Sequence, residues 1–219
     1  MSTMHTLGIV PTTSETASVS SGQAELPAWM ARLLHFFIRR RIFISLLLFS
    51  ALIVEDILTG VRPHNLFNFT DHATVLGLVL VNSGVLMRSW AAGILRKDKE
   101  VTTSGPYRVV RNPLYLGSFL MMAGFCELIG DPENIFFVLG PMILLYSIKV
   151  RNEEQWLSKL FPTAWAEYAR QTPRFLPRFA RTDIVTHWRR TQWIASREYQ
   201  AVLATMVALV AIKLWYALA

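Results

Sequence analysis

Residues 114–150 read LYLGSFLMMAGFCELIGDPENIFFVLGPMILLYSIKV, two apolar runs separated only by Asp131, Pro132 and Glu133. Each run, Leu114 to Gly130 and Asn134 to Val150, approaches the roughly 20 apolar residues that carry a helix across about 30 Å of hydrocarbon. The proline and two acids between them stop one helix and start the next. A helical hairpin in a membrane follows. Working outward, His72 to Leu95 is a further apolar run, and Ile42 to Thr59 starts behind Arg39, Arg40 and Arg41 and reaches Glu55 and Asp56 near its far end. The last run, Tyr199 to Leu218, has only Gln200 and Lys213 as strongly polar members. The predicted fold is all-α, a polytopic membrane helix bundle of about five transmembrane helices with cytoplasmic interfacial helices.

Composition agrees with that reading. The chain has 219 residues, 53% hydrophobic and 17% charged, so once the spans are placed little sequence is left for anything but short loops. Residues 27–219 read as one membrane domain. Residues 1–26 are rich in Ser and Thr, lack apolar periodicity and read as a disordered tail, with no signal-peptide pattern. The single cysteine, Cys126, lies in an apolar run and reads as a small buried hydrophobe.

A net charge of +7 would point to nucleic acid in a soluble protein, but the positions of the charges argue otherwise. With five crossings, four basic residues precede the first span, six lie between Arg88 and Arg111, and ten between Lys149 and Arg197, so 20 of the 22 fall on the side of the N-terminus. The positive-inside rule makes that side cytoplasmic, whether in a bacterial inner membrane or the endoplasmic reticulum. The basic balance is a topology signal, with some attraction for anionic lipids, and no nucleic-acid partner is expected.

Two segments on that side hold the unusual chemistry. Between Arg88 and Gly117, Gly105 and Pro106 make a turn, and Pro113 drives Asn112 out of the helical region. Irregular backbone at membrane depth must be buried in protein or line a cavity. Tyr107, Arg108, Arg111, Asn112 and Tyr115 would crowd that cavity with polar groups, although Tyr and Arg also serve as plain interfacial anchors. Beyond the fourth span, helical spacing sets Glu153 and Glu154 against Trp156, Leu157, Leu160 and Phe161, so at least one carboxylate leans on an apolar face and needs a partner. A solvated acidic pair is the alternative. Pro162 starts a short helix to about Arg170, and Pro173 and Pro177 stop regular structure. Thr182 to Arg197, with Trp188 and Trp193 among arginines, suits an anchoring helix at the headgroup level.

Together the two segments, from Arg88 to Phe179, resemble the membrane methyltransferase superfamily of isoprenylcysteine carboxyl methyltransferases and phospholipid N-methyltransferases. The first motif is Gly105-Pro106-Tyr107 followed by Arg111-Asn112-Pro113-Leu114-Tyr115-Leu116-Gly117. The second is Glu153-Glu154-x-x-Leu157, then Phe161 and an aromatic stretch ending in Pro173-Arg174-Phe175. Asn112, where the isoprenylcysteine branch commonly has histidine, is similar to the phospholipid branch, whereas the tail from Phe161 to Phe175 is similar to the isoprenylcysteine branch.

The resemblance implies methyl transfer from S-adenosylmethionine to a lipid-like or isoprenoid-linked acceptor drawn from the membrane. It implies that the acidic pair holds the cofactor, Glu154 taking its ammonium group and Glu153 orienting neighbouring groups, that Tyr107, Asn112, Tyr115 and Gly117 complete the pocket, and that Arg111 and Arg151 pair with an acidic group on cofactor or substrate. No metal ligand set is assigned. A carboxylate acceptor needs no base, whereas an ammonium headgroup must first lose a proton, and no histidine lies in the two segments. The alternatives are a nicotinamide-dependent sterol-type membrane reductase and a non-catalytic membrane protein. A transporter would carry ionisable residues at mid-membrane, and here Glu127 lies near a span end.

Overall fold

The computed structural model describes residues 47, 50–96, 99–131, 133–178 and 187–219. The N-terminal tail, the start of the first apolar run, Phe179 and residues 182–186 lie outside them. The described residues are helical, without a strand. Residues 50–59 form α1, which ends in a left-handed Gly60 (φ 78°) with Val61 N–H donating to the Asp56 carbonyl at 2.9 Å, a Schellman closure. Then come α2 (His72–Ile94), α3 (Pro106–Val109), α4 (Pro113–Ile129), α5 (Asn134–Leu160), α6 (Pro162–Gln171), α7 (Arg190–Ala195) and α8 (Glu198–Leu218).

Local chemistry sets most of these boundaries. Asp71 caps α2 by accepting from the Ala73 and Thr74 amides, and the Thr74 hydroxyl and His64 hold its carboxyl below the ordinary range. Prolines open α3, α4 and α6, where a missing N–H costs nothing. Gly130 (φ 91°) closes α4, and its missing side chain lets the Arg62 carbonyl pack against it.

The centre of the bundle is the antiparallel pair α2 and α4. Gly77 and Gly84 on α2 meet Gly124 and Gly117 on α4, each pair seven residues apart and so on one helix face. A Cβ on Gly84 would lie 2.5 Å from the Gly117 carbonyl oxygen, and one on Gly124 would lie 2.6 Å from that of Gly77. The backbones therefore touch, as small residues permit between helices in lipid. Larger apolar side chains point the other way, among them Leu76, Val79 and Leu86 on α2 and Leu203, Val207 and Val210 on α8. At one end of the pair, Leu66, Val81, Leu128, Ile129 and Ile212 form the core, and Asn134 donates to both oxygens of buried Asp56 at 3.0 and 3.2 Å, joining α1 to α5.

Among the described residues three helices, α2, α5 and α8, are long and apolar enough to cross a membrane. The five-span expectation is thus met in part. The 17 residues of α4 rise only about 26 Å, so it is shorter than the others although it packs along α2, and the first run is described only from its middle onward. α5 departs the other way: at 27 residues it runs about 40 Å, ten residues past the expected end at Val150. The extra turns carry Glu153 and Glu154 out of the apolar layer while keeping them on a rigid element.

Candidate active site

The bend between α2 and α4 is held by the tail that follows α6. Gly105, with φ 59° and ψ −135°, takes a backbone conformation that a side chain would oppose and turns the chain into Pro106. Beyond α3, the Arg111 amide donates to the Pro173 carbonyl at 2.8 Å and the Arg178 amide to that of Val109 at 3.1 Å, so residues 173–178 run beside 109–111. The Asn112 amide nitrogen donates to the Arg174 carbonyl at 3.3 Å, and the Tyr168 hydroxyl to the Tyr107 carbonyl at 2.6 Å. Irregular backbone is thereby satisfied within the protein.

Glu154 is the hub of this contact. Its side chain is 10% exposed and takes Arg111 Nη1 at 3.2 Å, Arg174 Nε at 3.1 Å and Arg174 Nη2 at 2.5 Å. Arg111 Nε donates in turn to the Thr172 carbonyl at 2.8 Å. Hydrogen bonding to this carboxylate raises the Arg174 guanidinium above its ordinary value. Glu153, the residue before it and half-buried, accepts from the Tyr115 hydroxyl at 2.9 Å and pairs with Lys149 at 2.9 Å. Tyr115 and Tyr146 meet edge to face, 4.8 Å between ring centres.

Most of these groups, though not Arg174 or Thr172, line one cavity of about 950 Å³. Tyr107, Arg111, Asn112 and Tyr115 from the first segment face it together with Glu153 and Glu154 from the second. Tyr107 is buried to 7% exposure and its hydroxyl has no hydrogen-bond partner among the described residues. Burial pushes its phenol well above the ordinary value, so it stays a proton donor.

Two of the residues expected at the site lie outside this lining. Gly117 does not line the cavity: a Cβ there would strike Arg88 Cγ at 2.6 Å and the Gly84 carbonyl at 2.7 Å, so its close approach serves α2 and not a ligand. Arg151 is exposed on α5 and also absent from the lining; it lies on the side of the helix away from Glu153, two residues on, though only an i, i+3 step from Glu154.

Sequence reasoning also missed residues. Lys149 faces the cavity as the partner of Glu153, which its i, i+4 spacing could have revealed. Arg88 and Glu198, far apart in the chain, form a two-pronged ion pair at 2.7 and 3.0 Å on another wall, and Arg88 Nη1 donates to Ser118 at 2.5 Å. The only signal was an isolated acid at the head of the last apolar run.

A known protein family and curated proteins match parts of this chain. The sequence profile of the phospholipid methyltransferase family matches residues 72–164, which run from the start of α2 into α6. The nickel-cobalt-cadmium resistance protein NccN of Alcaligenes xylosoxydans xylosoxydans is 30% identical over 150 residues, 66% of this chain and 68% of its own length. The cobalt-zinc-cadmium resistance protein CzcN of Cupriavidus metallidurans is 34% identical over 107 residues, 48% of this chain and 49% of its own. The protein-S-isoprenylcysteine O-methyltransferase of Schizosaccharomyces pombe is 26% identical over 98 residues, 45% of this chain and 42% of its own. The chain thus spans about half the length of two of these relatives and about two-thirds of the third. No solved structure gives a significant match. With both motif segments converging on one cavity, and a curated relative aligned over two-thirds of its length, the chain belongs to the superfamily of integral membrane methyltransferases that unites the phospholipid and isoprenylcysteine enzymes.

Proposed function

We propose that this protein transfers a methyl group from S-adenosylmethionine to a carboxylate on a lipid-like acceptor, at the cytoplasmic face of its membrane. The observation that carries the reading is the single cavity onto which Tyr107, Arg111, Asn112 and Tyr115 converge with Glu153 and Glu154. When bound, S-adenosylmethionine supplies a methyl group made electrophilic by its sulfonium. The residues suit such a guest. The cavity is at the upper end of ordinary ligand pockets, with room for donor and acceptor together. Tyr107 offers an unused O–H, and the rings of Tyr115, Tyr146, Trp165 and Tyr168 can face a cation.

The chain's own work is positioning. Glu154 fixes Arg111 in the cavity wall, where a guanidinium suits a carboxylate of donor or acceptor. Glu154, to which the resemblance assigns the donor's ammonium group, is held by two guanidiniums, so Glu153, oriented by Tyr115 and Lys149, is the carboxylate that faces an ammonium here. Holding reactants in line in a water-poor site is the main service such a reaction needs.

The pairing of the charges favours a carboxylate acceptor. Glu100, Glu153, Glu154 and Glu198 line the cavity, and each is ion-paired, to Arg96, Lys149, Arg111 with Arg174, and Arg88 in that order. No histidine is among the lining residues. With these carboxylates engaged by cations, an acceptor already ionised at neutral pH fits better than an ammonium that must first be deprotonated. The match to the phospholipid family and the Asn112-Pro113-x-Tyr115-x-Gly117 motif support N-methylation as the second reading. The names of NccN and CzcN suggest a setting, remodelling of envelope lipids under divalent-metal stress. Membrane lipids of cells with and without the gene, compared by mass spectrometry under cobalt or cadmium, test it.

The test of activity uses detergent-purified protein, methyl-labelled S-adenosylmethionine and extracted membrane lipid. Label released as methanol by mild alkali marks a methyl ester and the first reading; alkali-stable label on an amine marks the second. Failure to bind S-adenosylhomocysteine in calorimetry, or NADPH binding in its place, ends both.

A further inference from the structure

We infer that residues 187–198, which lie outside the family-matched region, form the acceptor-selecting wall of the cavity, and that this wall reads an uncharged amide or hydroxyl on an amphiphile. The inference rests on the methyl-transfer reading.

The family profile ends at residue 164, yet Gln192, Ser196 and Glu198 line the same cavity as the matched residues. Their segment is fitted to the end of α2. Trp188 Nε1 donates to the Ser89 carbonyl at 3.0 Å, the Arg189 amide to that of Gly93 at 3.0 Å, and the Ser196 hydroxyl to that of Ala92 at 3.4 Å. Ala92 and Gly93 belong to the last turn of α2, whose carbonyls have no partner within the helix, so the strap takes the place of water there. Trp188 also occupies the space a side chain at 93 would need, since a Cβ on Gly93 would come 2.0 Å from its Nε1. The Arg88–Glu198 pair then fastens the first turn of α8 to α2, and Ser118 ties Arg88 to α4. A carboxylate buried to 6% exposure needs such a partner, so the wall and the ion pair stand or fall together.

The chemistry of the wall indicates what it faces. With Glu198 neutralised by Arg88, the segment presents Ala195 beside the uncharged polar groups of Gln192 and Ser196, while Leu95 and Thr102 of the matched region line the same cavity. An apolar surface interrupted by an amide and hydroxyls suits a chain-bearing molecule with one neutral hydrogen-bonding group near its head. Members of one family share a donor and differ in acceptor. What is shared must come from the matched residues, whereas a wall built beyond them is free to differ.

The experiment uses two probes, N-acetyl-S-farnesylcysteine and its analogue lacking the acetamido group, with S-adenosylhomocysteine as the donor-side ligand. Wild-type protein in detergent is expected to methylate the amide-bearing probe about tenfold more efficiently, the scale of one well-made hydrogen bond. Q192L should erase that preference, mainly through KM for the amide probe, with S-adenosylhomocysteine affinity held within about twofold, a split that general loss of fold would not give. E198Q should loosen the strap and raise KM for both probes; where it fails to fold, Q192L alone decides. An unchanged preference in Q192L, a parallel loss of S-adenosylhomocysteine affinity, or a wild type that binds S-adenosylhomocysteine but methylates neither probe overturns the assignment. Absence of S-adenosylhomocysteine binding in the wild type instead removes the methyl-transfer reading on which it rests.

Discussion

The α2–α4 seam and the polar rim around Glu154 are both densely made, but by opposite means. In the seam, side chains are removed until backbone meets backbone at Gly77–Gly124 and Gly84–Gly117. In the rim, charged side chains are added until Glu154 holds two guanidiniums and Arg111 also reaches the Thr172 carbonyl. The difference follows from the solvent. Lipid offers no hydrophobic drive between helices, so close van der Waals packing does the joining. At the surface, burying one charge obliges the chain to bury its partner. The seam should therefore respond to added volume and the rim to removed charge.

The largest expected effect is in the seam. Gly84→Leu pushes carbons into the Gly117 carbonyl and the Met121 backbone, neither of which can move aside, and should cost about 3 kcal/mol or abolish folding. Thermal unfolding in detergent reads this, and a protein with unchanged Tm means the helices do not touch there. Next comes Glu154→Ala, which leaves Arg111 and Arg174 without their anion. With Arg174 42% exposed the loss is screened, to about 2 kcal/mol, and S-adenosylhomocysteine affinity should fall more than tenfold. Glu154→Gln, keeping hydrogen bonds but not charge, should fall between; unaltered affinity in a folded protein would remove Glu154 from the site.

Tyr107→Phe should separate stability from binding. Removing a buried hydroxyl that has no partner leaves Tm unchanged or raises stability by up to about 1 kcal/mol, while a ligand that used the O–H binds about five- to tenfold more weakly. A fall in Tm would reveal a protein partner for that hydroxyl. Smallest of all is Arg151→Ala: exposed and outside the cavity lining, it should shift stability by less than about 0.5 kcal/mol and leave binding intact.

The same contrast explains what the sequence made legible. Helix boundaries at Pro113, Gly130, Asn134 and Pro162 were readable because proline and glycine act on their own neighbours. The meeting of the Arg111 and Glu154 segments was readable through a motif that spans both. That Arg151 and Gly117 fall outside the cavity lining was not readable, because composition near a motif does not say which way a side chain faces, and Gly117 had two uses for the same missing Cβ. Glu198 was overlooked because its partner Arg88 is 110 residues away, a pairing that no local pattern announces.

The length of α5 gears the chemistry to the lean of one helix. α5 runs from Asn134 to the paired acids with Pro141 inside it, so leaning the turns beyond that proline by about 10° swings their outer end sideways by roughly 3 to 4 Å over some 20 Å of helix. Any such lean is felt first at the Glu153–Tyr115 contact and at the guanidiniums around Glu154, because both acids ride on that outer half of the helix.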